Sequence, residues 1–280
     1  PSLCLIEHLH APGRFQSGAI CPKRPLAGWC LLQNTWAMKP TQPQLRNVTL
    51  KRDDRFVDMV LRDDSSTRLV LHEIFSNRVY PIIPGLAPPR AVLDIGAHIG
   101  VASGFFRLVY PEAAIFCVEP DPESYAILAR NAERIGRCEA FNIGLLDRDM
   151  TAAFNAARIS VLSSLFPYDE GAIATDTIDV TVRDAGSFVA EISNRFSVPG
   201  FDIIKIDTEG AELPILRSLG PVVGRASVIH LEFHSHEDRR AIDDLLCATH
   251  RLCQGRIEKH NRGTLTYLAS HLLPATQGAA

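Results

Sequence analysis

The sequence lacks several patterns that would assign it to a familiar class of protein. No run of 18 apolar residues is present, so we expect no membrane span. The N-terminus has no basic stretch followed by an apolar segment and a small-residue cleavage site, so we expect no secretory signal. The seven cysteines are scattered and form no C-x-x-C pair, which disfavours a disulfide framework or a zinc site and indicates reduced thiols in a cytoplasmic protein. A net charge of −3 gives no reason to expect nucleic-acid binding.

The composition, 46% hydrophobic and 22% charged, is that of an ordinary globular protein, and local patterns divide the chain into four parts. Residues 1–44 show neither helical nor strand periodicity and are interpreted as an irregular N-terminal arm. Residues 45–90 form a small extension, in which 47–52, 55–62 and 67–71 are predicted as strands and 72–80 as a short helix. Residues 91–272 are the main domain, and 273–280 are a C-terminal tail.

The main domain alternates strands and helices, which predicts an α/β fold with a mostly parallel sheet covered on both faces. An antiparallel hairpin closes the chain at the edge of this sheet. The predicted strands are 91–94, 113–118, 139–146, 177–184, 201–207 and 227–234, followed by the hairpin strands 251–260 and 263–270.

A glycine loop at residues 91–100 (AVLDIGAHIG) is the most informative stretch of this domain. An apolar strand leads into Asp94, Gly96 and Gly100, and the helix that follows presents free N–H groups to an anion. A second apolar strand ends in Glu119, 19 residues after Gly100, where a carboxylate can accept hydrogen bonds from ribose hydroxyls. A glycine loop followed by an acid at this distance indicates an adenosine cofactor.

The spacing of the loop discriminates between cofactors. It reads D-x-G-x-x-x-G, so Ala97 and His98 stand where a dinucleotide needs a glycine beside its pyrophosphate. S-adenosylmethionine has no pyrophosphate, and the loop therefore favours it over NAD.

Six blocks of the sequence resemble the FkbM-type family of S-adenosylmethionine-dependent methyltransferases over about residues 70–235, and KIDTEGAE is the most discriminating part of them. The blocks are DIGAHIG, VEPDPESYAILARN, IGLLD, SSL, FDIIKIDTEGAEL and IHLEFH. The resemblance implies a class I methyltransferase fold, Rossmann-like, with a seven-stranded sheet. It also implies O-methylation of a hydroxyl on a sugar, polyketide or other small metabolite.

The resemblance further implies the positions that hold the cofactor. Asp94, Gly96 and Gly100 are expected around its methionine part, Glu119 on its ribose, and Asn142 near its adenine. Ala97, His98 and Pro120 complete the predicted cofactor site. The family usually has asparagine at the position of His98. The histidine of this chain introduces an imidazole that could titrate there.

Methyl transfer to oxygen is an in-line displacement in which an enzyme orients a hydroxyl group and removes its proton. Candidate residues lie at the ends of two late strands. Strand alternation puts Lys205 and Asp207 on one face of the first strand and Glu232 and His234 on one face of the second, and both strand ends are expected to open into the same crevice. We expect His234 to be the general base, because an imidazole titrates near neutral pH. Asp207, Glu209 or Glu232 would orient it or act in its place.

A lysine inside an apolar strand is rarely buried unpaired, so Lys205 is interpreted as structural, in an ion pair with Asp207, Glu209 or Glu232. A metal held by the same three acids is a weaker alternative, because their spacing matches no dedicated motif, and no metal is predicted.

The predicted partner is a small-molecule hydroxyl acceptor, and neither nucleic acid nor membrane is expected.

The segment 151–176, which contains the Ser163–Ser164 pair, is predicted to cover the site. Its aromatic residues are interpreted either as an apolar wall of the site or as core: Phe154, Phe166 and Tyr168. Two other classes stay open: a nicotinamide-dependent oxidoreductase, and a non-catalytic module that keeps the cofactor fold.

Overall fold

The computed structural model describes residues 3–7, 29–30, 44–157, 174–259 and 261–273, with side chains for 44–153, 178–258 and 261–273. None of the helices in these ranges is long and apolar enough to cross a membrane.

A small four-stranded sheet precedes the main domain, with its strands in the order β2-β1-β3-β4. Two of its strands lie in the part expected to be irregular. The elements are β1 (Leu3–Glu7), β2 (Trp29–Cys30), β3 (Leu45–Arg52) and β4 (Arg55–Arg62), followed by α1 (Ser65–Leu71) and a π-helical turn (His72–Ser76).

The prediction of a strand at 67–71 is wrong, because these residues belong to α1. The Asp64 side chain caps this helix by accepting a hydrogen bond from the Thr67 N–H at 2.7 Å. The cap lies in the charged stretch before the apolar residues, and it outweighs their preference for a strand. The helix predicted at 72–80 is confined to the π-helical turn.

The main domain is built on a seven-stranded sheet with the order β13-β14-β12-β11-β5-β6-β7. Its pairs are parallel except for those of β14, which runs antiparallel to β12 and β13. The elements are β5 (Ala91–Ile95), α2 (Val101–Val109), β6 (Ala114–Val118), α3 (Pro122–Ile135), β7 (Cys138–Phe141), β8 (Gly144–Leu146), β9 (Met150–Ala157), β10 (Ala174–Asp184), α4 (Ala185–Phe196), β11 (Ile203–Ile206), α5 (Glu212–Leu219), β12 (Val228–Phe233), α6 (His236–Leu246), β13 (His250–Lys259) and β14 (Arg262–Ala269). This confirms the predicted class I methyltransferase fold, including its antiparallel hairpin.

The strand predicted at 139–146 is two strands in two sheets. β7 ends the main sheet, whereas β8 pairs with β10 in a separate sheet of order β8-β10-β9. The chain turns at Asn142, whose side-chain amide donates to the carbonyl oxygens of Glu119 at 2.9 Å and Pro120 at 3.0 Å. These bonds hold the turn against the end of β6.

The small sheet and the main domain share one apolar core. Leu50 and Met59 pack in the same buried cluster as Phe105 and Phe106 of α2. Asn131 of α3, fully buried, exchanges hydrogen bonds with the backbone N–H and C=O of Val60 at 2.7 and 2.9 Å, and also donates to the Ile99 carbonyl at 2.7 Å. The strand β4 is therefore fixed beside the glycine loop.

Candidate active site

A cavity of about 450 Å³ opens at the carboxyl edge of the main sheet. Because β6 lies on one side of β5 and β11 lies on the other, the cavity has two ends. The loop end is lined by residues that follow β5, β6 and β7: Gly96, Ala97, His98, Glu119, Pro120 and Ile143. The acid end is lined by residues from β11, β12, the β13–β14 hairpin and the segment before β5: Glu73, Tyr80, Asp207, Glu209, Glu232, Glu258 and Arg262.

The glycines of the loop are required by close packing. Gly96 has φ of 73°, and a Cβ there would lie 1.8 Å from the Asp207 carbonyl oxygen. Gly100 has φ of 88°, and a Cβ there would lie 2.9 Å from a methyl group of Leu128. The loop therefore lies directly against the end of β11 and against α3.

Glu119 presents a carboxylate that the backbone holds in place. Its Oε2 accepts a hydrogen bond from the His98 N–H at 2.8 Å, and its Oε1 accepts one from the Asp121 N–H at 2.9 Å. Burial raises the pKa of Glu119 to about 7, although the two N–H groups act to lower it. Each oxygen keeps a lone pair for another donor, so the group can bind a pair of hydroxyls from the cavity.

His98 lines the loop end and does not titrate near neutral pH. Burial, followed by the positive charge of Arg62, lowers its pKa to about 4. The neutral ring can therefore accept a hydrogen bond, and its Nε2 lies 3.4 Å from Nη1 of Arg62 on β4.

Asp94 is fully buried behind the cavity, where it contacts Lys205. The Lys205 Nζ lies 3.2 Å from Asp94 Oδ1 and 3.5 Å from Asp207 Oδ2, and it donates to the Gly96 carbonyl at 2.6 Å. Burial acts to lower the pKa of Lys205, but Asp94 and Asp207 hold it well above its usual value. The expected ion pair with Asp207 is present, together with one to Asp94 that was not expected. Asp94, Gly100 and Asn142 do not line the cavity, and their predicted contact with a cofactor stays a prediction.

Asp207 and Glu232 face the acid end as two neighbouring carboxyl groups. Burial raises the pKa of Asp207, but Lys205 and a hydrogen bond with Glu232 bring it down to about 2. Burial and the charge of Asp207 hold the pKa of Glu232 well above its usual value. Of the two acids, Glu232 is therefore the one that binds a proton more readily.

His234 does not line the cavity, which is against its predicted role as the general base. Its Nε2 lies 2.9 Å from Glu209 Oε2 and its Nδ1 lies 3.3 Å from Glu212 Oε1. Burial acts to lower the pKa of His234, but these two carboxylates raise it to about 9. The ring is protonated at neutral pH and is an ion-pair partner. Strand alternation could not reveal this, because Glu212 belongs to the next helix and comes close only in the folded chain.

Glu209, Glu232 and His234 could also hold a cation, since one donor atom of each lies within 4.8 Å of the others. However, the guanidinium of Arg262 contacts Glu209 and has its Nε 3.7 Å from Glu232 Oε1. A metal ion would have to displace this positive charge, so we assign none.

Four residues at the acid end were not expected from the sequence. Glu73 and Tyr80 come from the extension, and Glu258 and Arg262 come from the closing hairpin. No motif surrounds them, and only the tertiary packing brings them to the strand ends. The predicted wall of Phe154, Phe166 and Tyr168, and the Ser163–Ser164 pair, lie outside the residues whose side chains the structure describes.

The sheet order, with the glycine loop after β5 and the carboxylate at the end of β6, is that of the class I methyltransferase fold. The sequence profile of the Methyltransferase FkbM domain matches residues 94–259, more than half of the chain. The chain therefore belongs to the FkbM methyltransferase family.

Individual relatives are distant. Methyltransferase 1 of Beauveria bassiana is 27% identical over 165 residues, which cover 52% of this chain and 65% of that protein. Hexuronic acid methyltransferase AglP of Haloferax volcanii is 24% identical over 154 residues, covering 55% and 59%. The 2-O-methyltransferase NoeI of Sinorhizobium fredii is 23% identical over 185 residues, covering 57% and 72%. The chain thus spans less than two thirds of the first two of these relatives.

Among solved structures, the methyltransferase FkbM from Methylobacillus flagellatus is similar, with a TM-score of 0.47 and 16% identity. The similarity covers 65% of this chain and 44% of that one.

Gly96→Ala tests the close packing of the loop against β11, and Gly85→Ala is its matched control. Gly85 has a similar φ of 76°, but nothing lies within 4 Å of its missing Cβ. We expect Gly85→Ala to cost about 1 kcal/mol of unfolding free energy, from backbone strain alone. Gly96→Ala should cost about 3 kcal/mol or more, because strain and overpacking add. Urea unfolding followed by circular dichroism measures both, and equal losses would contradict the close packing.

Proposed function

We propose that the protein is an S-adenosylmethionine-dependent O-methyltransferase that acts on a hydroxyl of a small metabolite. The observation that carries this proposal is the single cavity that joins Glu119 and the glycine loop to a set of carboxylates at the neighbouring strand ends. One end has the groups that an adenosine cofactor needs, and the other has groups that can bind and deprotonate a hydroxyl.

The residues that line the loop end match the chemical groups of S-adenosylmethionine. The Glu119 oxygens are available to both ribose hydroxyls, and the apolar residues Pro120 and Ile143 line the cavity beside them. Gly96, Ala97 and His98 line the position for the methionine part, with no second glycine for a pyrophosphate. When bound, the cofactor supplies an electrophilic methyl group. Asp94 supports the loop through Lys205, and Asn142 supports the turn below Pro120.

A sugar hydroxyl is the acceptor that the relatives favour. One is named as a hexuronic acid methyltransferase and another as a 2-O-methyltransferase. In this chain, however, Glu73 and Glu258 add negative charge to an end that already contains Asp207. A uronic acid would be repelled there, so we propose an acceptor without a carboxylate.

Glu73 is the residue we propose as the proton acceptor in place of His234. Burial, followed by the charges of Glu258 and Asp207, raises its pKa to about 7. A base is most effective when its pKa is near the working pH. Asp207, with a pKa of about 2, is too weak a base, and burial and the charge of Asp207 oppose ionisation of Glu232 by raising its pKa. Asp207 and Glu232 would bind the acceptor hydroxyls, and Glu209 and His234 would keep Arg262 and the strand ends in position.

We also propose that the protein works in the reducing environment of the cytoplasm. The cysteines with described side chains are free thiols, including Cys117 and Cys138, whose sulfurs lie 3.5 Å apart. We propose no nucleic-acid or membrane partner.

The cofactor assignment is tested by calorimetry with S-adenosylhomocysteine. We expect the wild type to bind it, with an affinity that falls below about pH 7, because protonation of Glu119 at about that pH removes a hydrogen-bond acceptor. Glu119→Gln should weaken binding by about tenfold at pH 8, since bonds to a charged group are lost, and should remove the pH dependence.

Glu139→Gln is the control for this experiment, because Glu139 is an exposed carboxylate on β7 and should behave as the wild type. A wild type that binds NADH and not S-adenosylhomocysteine would overturn the proposal in favour of an oxidoreductase. Binding without turnover on any hydroxyl acceptor would favour a non-catalytic module.

The charge of the acceptor is tested with the methyl glycosides of glucose, glucosamine and glucuronic acid. Release of S-adenosylhomocysteine reports turnover. We expect the glucoside or the glucosaminide to be methylated and the glucuronide to react at least about tenfold more slowly, since like charges at short range cost about 1 kcal/mol or more. Preferred methylation of the glucuronide would show that the acid end does not exclude anions.

Glu73→Gln tests the proton acceptor. In the wild type, kcat with the accepted glycoside should rise with pH and level off above about 7, because Glu73 must lose its proton to act. The variant should lose this rise and about 10²-fold in kcat.

The matched control is Glu258→Gln at the same end of the cavity. It removes a charge that raises the pKa of Glu73, so the rise in kcat should persist with its midpoint at lower pH. If the pH profile of kcat were unchanged in Glu73→Gln, another group would have to accept the proton of the acceptor hydroxyl.

A further inference from the structure

The two backbone N–H groups that hold Glu119 belong to different segments of the chain. The His98 N–H is part of the glycine loop, and the Asp121 N–H is at the start of α3. Both oxygens of the carboxylate keep their positions only if these two segments keep their separation. The geometry of Glu119 therefore depends on whatever joins the loop to the helix start.

Arg62 of β4 joins these two segments. Its Nη1 lies 3.4 Å from Nε2 of His98 and donates to Oγ of Ser124 at 3.3 Å. The Ser124 hydroxyl in turn donates to Asp121 Oδ2 at 2.6 Å. Nη1 of Arg62 thus contacts His98, whose N–H binds Oε2 of Glu119. Through Ser124 it also reaches Asp121, whose N–H binds Oε1 of Glu119.

The environment of Arg62 is unusual for a structural arginine. The residue is 6% exposed, and within the described part of the chain its guanidinium has no carboxylate in ion-pair contact. A buried charge without a counter-ion is costly, and an apolar side chain would fill the same volume at lower cost. Retaining a guanidinium here requires a function for its hydrogen bonds.

The chemistry of His98 suits this contact. Its backbone has φ of 51°, so its N–H points to Glu119 while its ring reaches back towards β4. The ring is neutral, and only a neutral imidazole has a nitrogen that can accept from Arg62. Asparagine, the residue that the resemblance leads one to expect at this position, has a shorter side chain.

We propose that Arg62 is a positioning residue for the cofactor, which fixes the Glu119 carboxylate for the ribose by joining the glycine loop to the start of α3. The proposal rests on the proposed function. It assigns a role in cofactor binding to a residue outside the matched family domain, which begins at residue 94.

The test uses calorimetry with two probes, S-adenosylhomocysteine and its 2′-deoxyribose analogue. For the wild type we expect loss of the 2′-hydroxyl to weaken binding by about tenfold, as for a hydrogen bond to a charged group. Arg62→Met keeps the volume and removes the donors. We expect it to lose more affinity for S-adenosylhomocysteine, which has two hydroxyls for Glu119, than for the analogue, which keeps only the 3′-hydroxyl. The ratio between the two probes should therefore fall from about 10 towards 1.

Two further variants keep the test decisive if Arg62→Met does not fold. His98→Asn retains the backbone N–H but removes the ring from Arg62, and should reduce the ratio in the same way. Arg62→Lys retains one donor and should give an intermediate ratio. Arg68→Met is the control, since Arg68 on α1 pairs with Asp63 at 3.0 Å, and its ratio should equal that of the wild type.

The outcomes separate the two proposals. If the wild type binds neither probe, the proposed function fails. If the wild type binds both and a folded Arg62→Met shows the wild-type ratio, the positioning role fails while the proposed function stands. Equal weakening of both probes would likewise overturn the positioning role, because it would indicate a general effect on the fold.

Discussion

The buried ammonium group of Lys205 connects the two ends of the cavity. It is 3% exposed, donates to the Gly96 carbonyl, and lies between the carboxylates of Asp94 and Asp207. Without it, the fully buried carboxylate of Asp94 would lose its counter-ion, at a cost of about 3–5 kcal/mol for a broken buried pair. The same charge lowers the pKa of Asp207 and so determines which member of the Asp207–Glu232 pair binds a proton more readily. The charge of Lys205 therefore acts on both the glycine loop and the acid end of the cavity.

The parts of the fold that could be predicted were those with short-range signals. The loop at Gly96 and the alternation of strands and helices required only local geometry and periodicity, and they were sufficient for the sheet. The errors occurred where a single side chain redirects the chain. Asp64 starts a helix in a segment with strand composition, and Asn142 ends a strand by bonding to the backbone of its neighbour.

The residues of the candidate site likewise fall into those that could be predicted from the sequence and those that could not. Glu119 was predictable because its position follows from the end of an apolar strand, and Glu232 because strand alternation places it at the sheet edge. Glu73 and Arg62 were not, since their roles depend on how a separate sheet packs against α2 and α3. The ion pairs of His234 could not be predicted, because the strand pattern shows where a residue lies along the sheet and not which carboxylates surround it.

The bond between Asn131 and Val60 has a consequence for how this protein can change over time. It ties β4 to the main domain, and α1 and the turn containing Glu73 follow directly from that strand. The extension thus contributes to both ends of the cavity, because Glu73 lines the acid end and Arg62 contacts His98 at the loop end. Exchanging this segment with that of a relative would therefore change both ends of the cavity at once, whereas a substitution confined to the acid end would change only one of them.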